Sequence, residues 1–322
     1  MANTILKIKG LKTYFYAEDR VVPAVDGVDL EVREGETLGI VGESGCGKSV
    51  TTLSVMRLIR HPGKIIDGKI EFDGKDLLKL SEAEMREVRG DKISMIFQEP
   101  MTALNPVYTI GNQMMEMTLV HYNVSKKEAW DKAVEMLKTV SIPRAEEIMK
   151  CYPFELSGGM RQRVMIAMAM TCNPTIMIAD EPTTALDVTI QAQILELMRD
   201  MQRKYNTAII FITHDLGVIA EMSDYVAVMY AGRVIEEASC DDIFNNAKHP
   251  YTIGLHNSTP KLDVATDRLD SIPGMVPNLA NKITGCAFKT RCKHVMEKCC
   301  MEMPDLIKID EKHKVRCWLY QK

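Results

Sequence analysis

Apolar residues recur along this chain with two different periods, and the switching between them sketches an architecture. Short runs at 5–8, 27–32 and 37–41 read as strands. The last of them, Thr-Leu-Gly-Ile-Val, is apolar without alternation, as expected of a strand buried on both faces. A helix-compatible stretch covers about 49–60. From about 98 to 150 the period is helical, and Ala129, Ala133, Val134, Leu137 and Val140 fall on one side of the segment 126–140. Residues 161–172 are apolar nearly all round, which predicts a buried helix, stopped by Asn173-Pro174. Strand 175–179, helix 188–203, strand 208–213, helix 216–222 and strand 225–230 then alternate. That order predicts an α/β fold with helices packed on a parallel sheet. After about Ala238 the periodicity dissolves into prolines and cysteines, so the expected domains are 1–238 and 239–322.

Composition narrows the class of protein. A content of 46% hydrophobic and 26% charged residues is that of an ordinary globular chain. The net charge is −4 with no basic run, which argues against a nucleic-acid partner. The longest apolar stretches, such as 164–172, are far too short to span a bilayer. The opening MANTILKIKG lacks the layout of a secretory signal. A cytosolic chain that reaches a membrane only through partners is the expectation. Five of the nine cysteines lie between Cys286 and Cys317, in a compartment where disulfides are disfavoured.

Three segments carry chemistry. Gly42-Glu43-Ser44-Gly45-Cys46-Gly47-Lys48-Ser49 satisfies GxxxxGK[ST], between a buried strand and the helix that continues from Val50. Glycines let the backbone wrap closely, so that amide N–H groups and a helix N-terminus face phosphate oxygens. Lys48 suits the β- and γ-phosphates, and the Ser49 hydroxyl suits Mg²⁺. Asp180 and Glu181 close the apolar strand ahead of them; Asp180 would hold the metal and Glu181 would orient or deprotonate the attacking water. Leu156-Ser157-Gly158-Gly159 opens the buried helix as a second phosphate-ready N-terminus, or simply as a serine cap.

In combination these segments resemble the ATP-binding subunits of ABC transporters, over essentially the whole chain. The resemblance implies an ABC-type P-loop NTPase core with an N-terminal antiparallel β subdomain, a helical subdomain at about 99–165, and a small C-terminal cysteine-containing domain. It implies that two subunits pair head to tail, so that Ser157, Gly158, Gly159 and Asp187 of one chain complete the ATP site of the other. Met160 departs from the glutamine commonest in the family and leaves Ser157 and the glycines intact. Gln98 matches the glutamine that senses Mg²⁺ and links the nucleotide to the membrane partner, and His214 matches the switch histidine. Read alone, His214 is a hydrogen-bonded strand-end residue and Asp187 a helix cap. The adenine is expected to stack on Phe15, with Tyr14 and Tyr16 as neighbours, although these rings also suit the packing of a small sheet.

A narrower resemblance, to the dipeptide/oligopeptide importers and their nickel and opine relatives, rests on the segments 95–106, 249–252 and 272–274 and on the run from Gly285 through Cys292. It implies a second, different ATPase subunit, two integral membrane permease subunits, an extracytoplasmic substrate-binding protein, and a place on the cytoplasmic face of the membrane. The Met-rich stretch 101–120 reads either as a docking groove for a membrane subunit or as subdomain core. The same resemblance implies a [4Fe–4S] cluster on Cys286, Cys292, Cys299 and Cys317, with Cys300 able to replace Cys299. Zinc, with His294 and His313 nearby, and unliganded thiols are the competing readings. ABC ATPases of DNA repair or translation form the rival functional class; they carry paired cassettes or coiled-coil insertions, which this chain lacks.

Overall fold

The structure, a computed structural model, describes residues 3–17, 20–98, 103–184, 186–258, 271–281 and 283–321. Residues 99–102, within the segment that carries the narrower resemblance, lie outside the described residues. The chain opens with β1 (Thr4–Ala17), β2 (Arg20–Arg33), β3 (Thr37–Val41) and α1 (Lys48–Val55). There follow β4 (Gly63–Phe72), β5 (Lys75–Asp76), α2 (Glu82–Val88) and β6 (Ile93–Ile96). Helices α3 (Ile110–His121), α4 (Lys126–Thr139), α5 (Ala145–Ile148) and α6 (Gly158–Met170) precede β7 (Ile176–Asp180). Then come α7 (Val188–Tyr205), β8 (Ala208–Thr213), α8 (Leu216–Met222), β9 (Tyr225–Tyr230) and β10 (Arg233–Ser239). The chain ends with α9 (Cys240–Asn245), α10 (Pro250–Asn257), α11 (Glu297–Met301), β11 (Ile307–Lys308) and β12 (Lys314–Val315). No helix among the described residues is long and apolar enough to cross a membrane.

These elements form two compact units. One comprises residues 1–3, 33–36 and 79–212. Its strands β6, β7 and β8 run parallel, with Ile93 opposite Ile176 and Ile176 opposite Ala208. Every residue of β7 and β8 is buried, which explains their unbroken apolar runs. Helix α4 starts at a capping box between Ser125 and Glu128 and buries Ala129, Ala133, Val134 and Leu137, the face that the sequence predicts. Helix α6 buries Val164, Met165, Ile166, Ala167, Ala169 and Met170 and is therefore covered on nearly all sides. In α3 the methionine Met114 is fully buried, so it serves as core, while Val107, Tyr108 and Val120 nearby are exposed.

The other unit comprises residues 4–32, 37–78 and 213–322. Strands β2, β1, β4 and β5 form an antiparallel sheet in that order. Strand β1 is longer than the expected 5–8 because its buried residues change phase: Leu6 and Ile8 are followed by Leu11 and Thr13. An irregularity between Lys9 and Lys12 makes the change, with Gly68 on β4 beside it. A Cβ at Gly68 would lie 2.6 Å from Leu11 Cα. A phase change inside a strand erases the period-two pattern that a sequence reading depends on. In the same unit β3 runs parallel to β9, and β10, β12 and β11 continue from β9 antiparallel. Helix α1 is shorter than expected, since Arg57 adopts φ 51° and turns the chain out of the helix.

Candidate active site

Two groups of candidate residues emerge, one in each unit. In the first group, the loop 42–49 leaves the buried strand β3 and enters α1. Two of its glycines have no substitute. A Cβ at Gly42 would lie 2.2 Å from Met229 O, and one at Gly47, which has φ 104°, would lie 2.4 Å from Ala24 O. The main chain is tied down by a hydrogen bond from Gly232 N to Cys46 O at 2.9 Å. Lys48 is buried and its Nζ donates to Gly42 O at 2.7 Å and Glu43 O at 3.3 Å, so the ammonium is folded back over its own loop. Ser44 and Gly45 are exposed and Ser49 and Val50 half-buried, whereas burial holds the Cys46 thiol above its ordinary pKa. A buried, protonated thiol is inert.

The aromatic candidates separate by face. Tyr14 donates its hydroxyl to Asp26 at 2.9 Å, Arg233 pairs with the same carboxylate, and burial together with that bond raises the phenol to about 12. Phe15 is half-buried with its ring against Gly63, and Tyr16 is exposed. His214 is exposed just beyond β8, and Asp215 after it caps α8 by accepting from Gly217 N at 2.8 Å.

In the other unit Asp180 ends β7 and is buried. Glu181 follows in the left-handed region at φ 48°, its N–H donating to Ile212 O at 2.9 Å. Its carboxylate accepts from Gln98 Nε2 and from Thr184 Oγ1, both at 3.0 Å. A non-glycine residue at positive φ is strained, and here the strain aims the side chain off the strand end. Ser157 caps α6, accepting from Met160 N at 3.3 Å, and both Ser157 and Gly158 are exposed. A Cβ at Gly159 would lie 3.0 Å from Ile190 Cγ2, so that position also tolerates little bulk. Asp187 caps α7 by accepting from Ile190 N at 3.0 Å and is exposed, as is Val188 after it. The plain capping reading is thus real for both Ser157 and Asp187, and it leaves both residues open to a second chain.

Sequence reasoning missed the surroundings of Glu43. Its carboxylate accepts a two-pronged pair from Arg291, at 2.7 and 3.0 Å, and its N–H donates to Tyr251 Oη at 2.9 Å. Both partners stand in the C-terminal segments that carry the narrower resemblance, but nothing in their local sequence points to a loop more than 200 residues earlier. Thr184 was missed as well; its only signal is its place three residues after Glu181.

The cysteines gather. Burial is the main cause that raises Cys317 to about 11, and the neighbouring Cys286, Cys292 and Cys299 add to it. Cys286 and Cys292 are raised by burial and by their neighbours in the same way. Cys286 N donates to Cys299 O at 2.8 Å, while Cys300 points outward and is exposed. His313 is committed elsewhere: its Nε2 is 2.7 Å from the buried Glu236 carboxylate. All nine thiols are free, and among the described residues no group of three or more His, Cys, Asp and Glu side chains is placed to hold a metal ion.

Comparison with known proteins places these features. The profile described as ABC transporter matches residues 25–184, and the one described as oligopeptide/dipeptide transporter, C-terminal region, matches residues 235–299. The chain is 53% identical over 320 residues to the oligopeptide transport ATP-binding protein AppD of Bacillus subtilis, spanning 99% of this chain and 98% of that protein. It is 50% identical over 303 residues to the oligopeptide transport ATP-binding protein OppD of Escherichia coli, spanning 94% and 90%. Among solved structures it is similar to the dimeric ATP-binding cassette MJ0796 in a post-hydrolysis state bound to ADP and Pi. There the TM-score is 0.66 with 28% identity, covering 73% of this chain and 98% of that one. The structure of cbiO1 from Clostridium perfringens gives a TM-score of 0.64 with 27% identity, over 79% and 95%.

Proposed function

The chain belongs to the ABC transporter family, in the branch of the oligopeptide transport ATP-binding proteins, and from that premise we propose that it binds and hydrolyses ATP to energise import of di- or oligopeptides through membrane permeases. The observation that carries this reading is likeness along the entire chain, C-terminal region included, to relatives named for oligopeptide transport. Deleting the gene and following uptake of labelled oligopeptides, nickel and opines tests it. Uptake of the peptides alone should fail; loss of nickel or opine uptake with peptide uptake intact would move the chain to another branch.

The residue roles belong to the same proposal. Backbone N–H groups of Gly42 and of residues 44–47 and the Lys48 ammonium bind the triphosphate, which requires Lys48 to leave the carbonyls it now contacts; the Glu43 N–H, expected to join them, is taken by Tyr251 Oη. Phe15, with Tyr16 beside it, receives the adenine, since Tyr14 is engaged with Asp26. Ser49, Asp180 and Gln98 would hold Mg²⁺, which neutralises phosphate charge when bound. Glu181 positions and deprotonates the attacking water, and His214 faces the γ-phosphate. Ser157, Gly158, Gly159 and Asp187 act on the nucleotide of a second subunit, which fits their exposure. That subunit is a different ATPase. Two permeases and an extracytoplasmic binding protein complete the assembly at the cytoplasmic face of the membrane. The exposed Val107, Tyr108 and Val120 suit the docking of a permease segment. The proposed division is a cassette, 1–238, and an extension, 239–322, and the start of the second family profile at 235 supports it.

The extension is proposed to carry a [4Fe–4S] cluster on Cys286, Cys292, Cys299 and Cys317. Four cysteine thiolates form the soft donor set that such a cluster takes, and Cys286, Cys292, Cys299 and Cys317 lie near enough to influence one another electrostatically. Cys299 is the inward member of its pair, and His313 is spoken for by Glu236. Protein purified without air should be brown and hold iron and sulfide in a ratio near one to one. Cys317→Ser should lose the colour and Cys300→Ser should keep it. Stoichiometric zinc with no iron or sulfide would assign the thiols to zinc instead.

A further inference from the structure

The loop that binds ATP carries an acid at its second position, and an acid there is a liability. An unpaired carboxylate beside a cradle of N–H groups repels the polyphosphate the cradle is built for. Glu43 is not left unpaired. Arg291 Nη1 and Nη2 donate to its two oxygens at 2.7 and 3.0 Å, the fork-to-fork geometry in which a guanidinium cancels a carboxylate best. The arginine is itself fixed on every side. Its Nε donates to Pro273 O at 3.0 Å and Nη2 also reaches Ile272 O at 3.4 Å. Nη1 reaches the Tyr230 hydroxyl at 3.4 Å, and only 3% of the side chain is exposed. Pairing with Glu43 is also the main reason that the guanidinium pKa is raised.

A second contact reaches the same residue from the same region. Tyr251, fully buried at the start of α10, accepts from the Glu43 N–H, so that donor is turned away from the phosphate cradle. Tyr230, Tyr251 and Phe288 form a ring cluster with centroids 4.6 to 5.5 Å apart, which leaves neither Tyr251 nor the arginine room to move. None of these groups belongs to the loop, yet Tyr251 and Arg291 both converge on one of its residues.

We propose that Arg291 is a positioning residue of the nucleotide site: by neutralising and holding Glu43, it makes the C-terminal region a working part of the phosphate-binding loop. The inference rests on the ATP-binding reading above and extends it to residues of the tail. Arg291 touches no phosphate. It acts on ATP through the charge and placement of Glu43, so its effect scales with the charge of the nucleotide.

Titration of the full-length chain with ATP, ADP and AMP by displacement of a fluorescent nucleotide tests this. Arg291→Ala should weaken ATP about tenfold, ADP less and AMP hardly at all, because Glu43 is left unpaired. Adding Glu43→Gln to that variant should restore most of the ATP affinity. Glu43→Gln alone changes a half-exposed loop residue, so it folds even if Arg291→Ala does not. It leaves the guanidinium charge uncancelled and should bind ATP as tightly as the wild type or up to a few-fold tighter. The proposal is overturned if Arg291→Ala binds ATP like the wild type, or loses all three nucleotides alike without recovery in the double variant. It is also overturned if Glu43→Gln alone weakens ATP tenfold. Failure of the wild-type chain to bind ATP at all would instead remove the ATPase reading.

Discussion

Replacing Glu181 by glutamine should cut steady-state phosphate release by at least about a hundredfold while ATP affinity stays within a few-fold of the wild type. The side chain keeps its size and can still accept from Gln98 and Thr184, each now 3.0 Å away, so the strained backbone at φ 48° has no reason to relax. What is lost is a group able to take a proton from water. Positioned general bases are worth about 10² to 10⁴ in rate, and Asp180, the carboxylate next to it in the chain, is committed to the metal in the proposed scheme. With hydrolysis blocked, ATP should hold two subunits together, visible as an earlier-eluting species in gel filtration with ATP and its absence without. Wild-type rates in the variant would remove Glu181 from the mechanism.

The second large effect concerns two chains at once. Lys48→Ala and Ser157→Arg should each be inactive, to below about 1% of wild-type turnover, since one lacks the phosphate ammonium and the other fills the exposed helix start with bulk. Mixed in equal amounts at concentrations where this chain pairs with a second copy of itself in place of the different ATPase, they should recover a substantial fraction of the activity. One of the two composite sites then contains the intact Lys48 of one chain and the intact Ser157 of the other. The cost in fold is small: Ser157 makes one capping bond, to Met160 N, worth about 1 kcal/mol. A mixture no more active than its parts, while the wild type is active and dimeric, would mean that each chain completes its own site. Wild-type specific activity should likewise rise with protein concentration.

Much of the core could be read in the sequence because its determinants are local. The loop 42–49, the strand ending in Asp180 and the capped start of α6 each place their chemistry within about ten consecutive residues. Their apolar runs are unbroken because β3, β7 and β8 are buried throughout. Strand β1 was legible only in part, since the irregularity between Lys9 and Lys12 shifts its buried face by one residue. Strands β4 and β6 escaped notice for a different reason. The former is half-exposed and the latter has only four residues, too few to show a period. Within the site, Lys48, Asp180 and Glu181 could be found by spacing, but the Glu43–Arg291 pair joins residues 248 apart. No pattern in one sequence links two such positions. Which of the adjacent Cys299 and Cys300 is buried likewise depends on the side of one short helix that faces inward.

The return of the tail to β10 has a consequence for how the chain is made. Strand β10 would otherwise present a row of unpaired N–H and C=O groups, and β12 covers it through Glu236 opposite Val315 and Glu237 opposite Lys314. Arg316 adds a backbone bond to Ile235 O at 2.8 Å and side-chain bonds to Val234 O and Pro304 O. The new outermost strand, β11, is only two residues long and carries Lys308, a poor template for another chain. But the covering residues leave the ribosome some 75 residues after the strand they cover. For that interval the nascent chain holds an open, adhesive strand, and its exposure to chaperones and to other nascent chains is set by the speed with which β11 and β12 arrive. A stop codon after Leu306 should therefore move the product into inclusion bodies even though every ATP-binding segment is present.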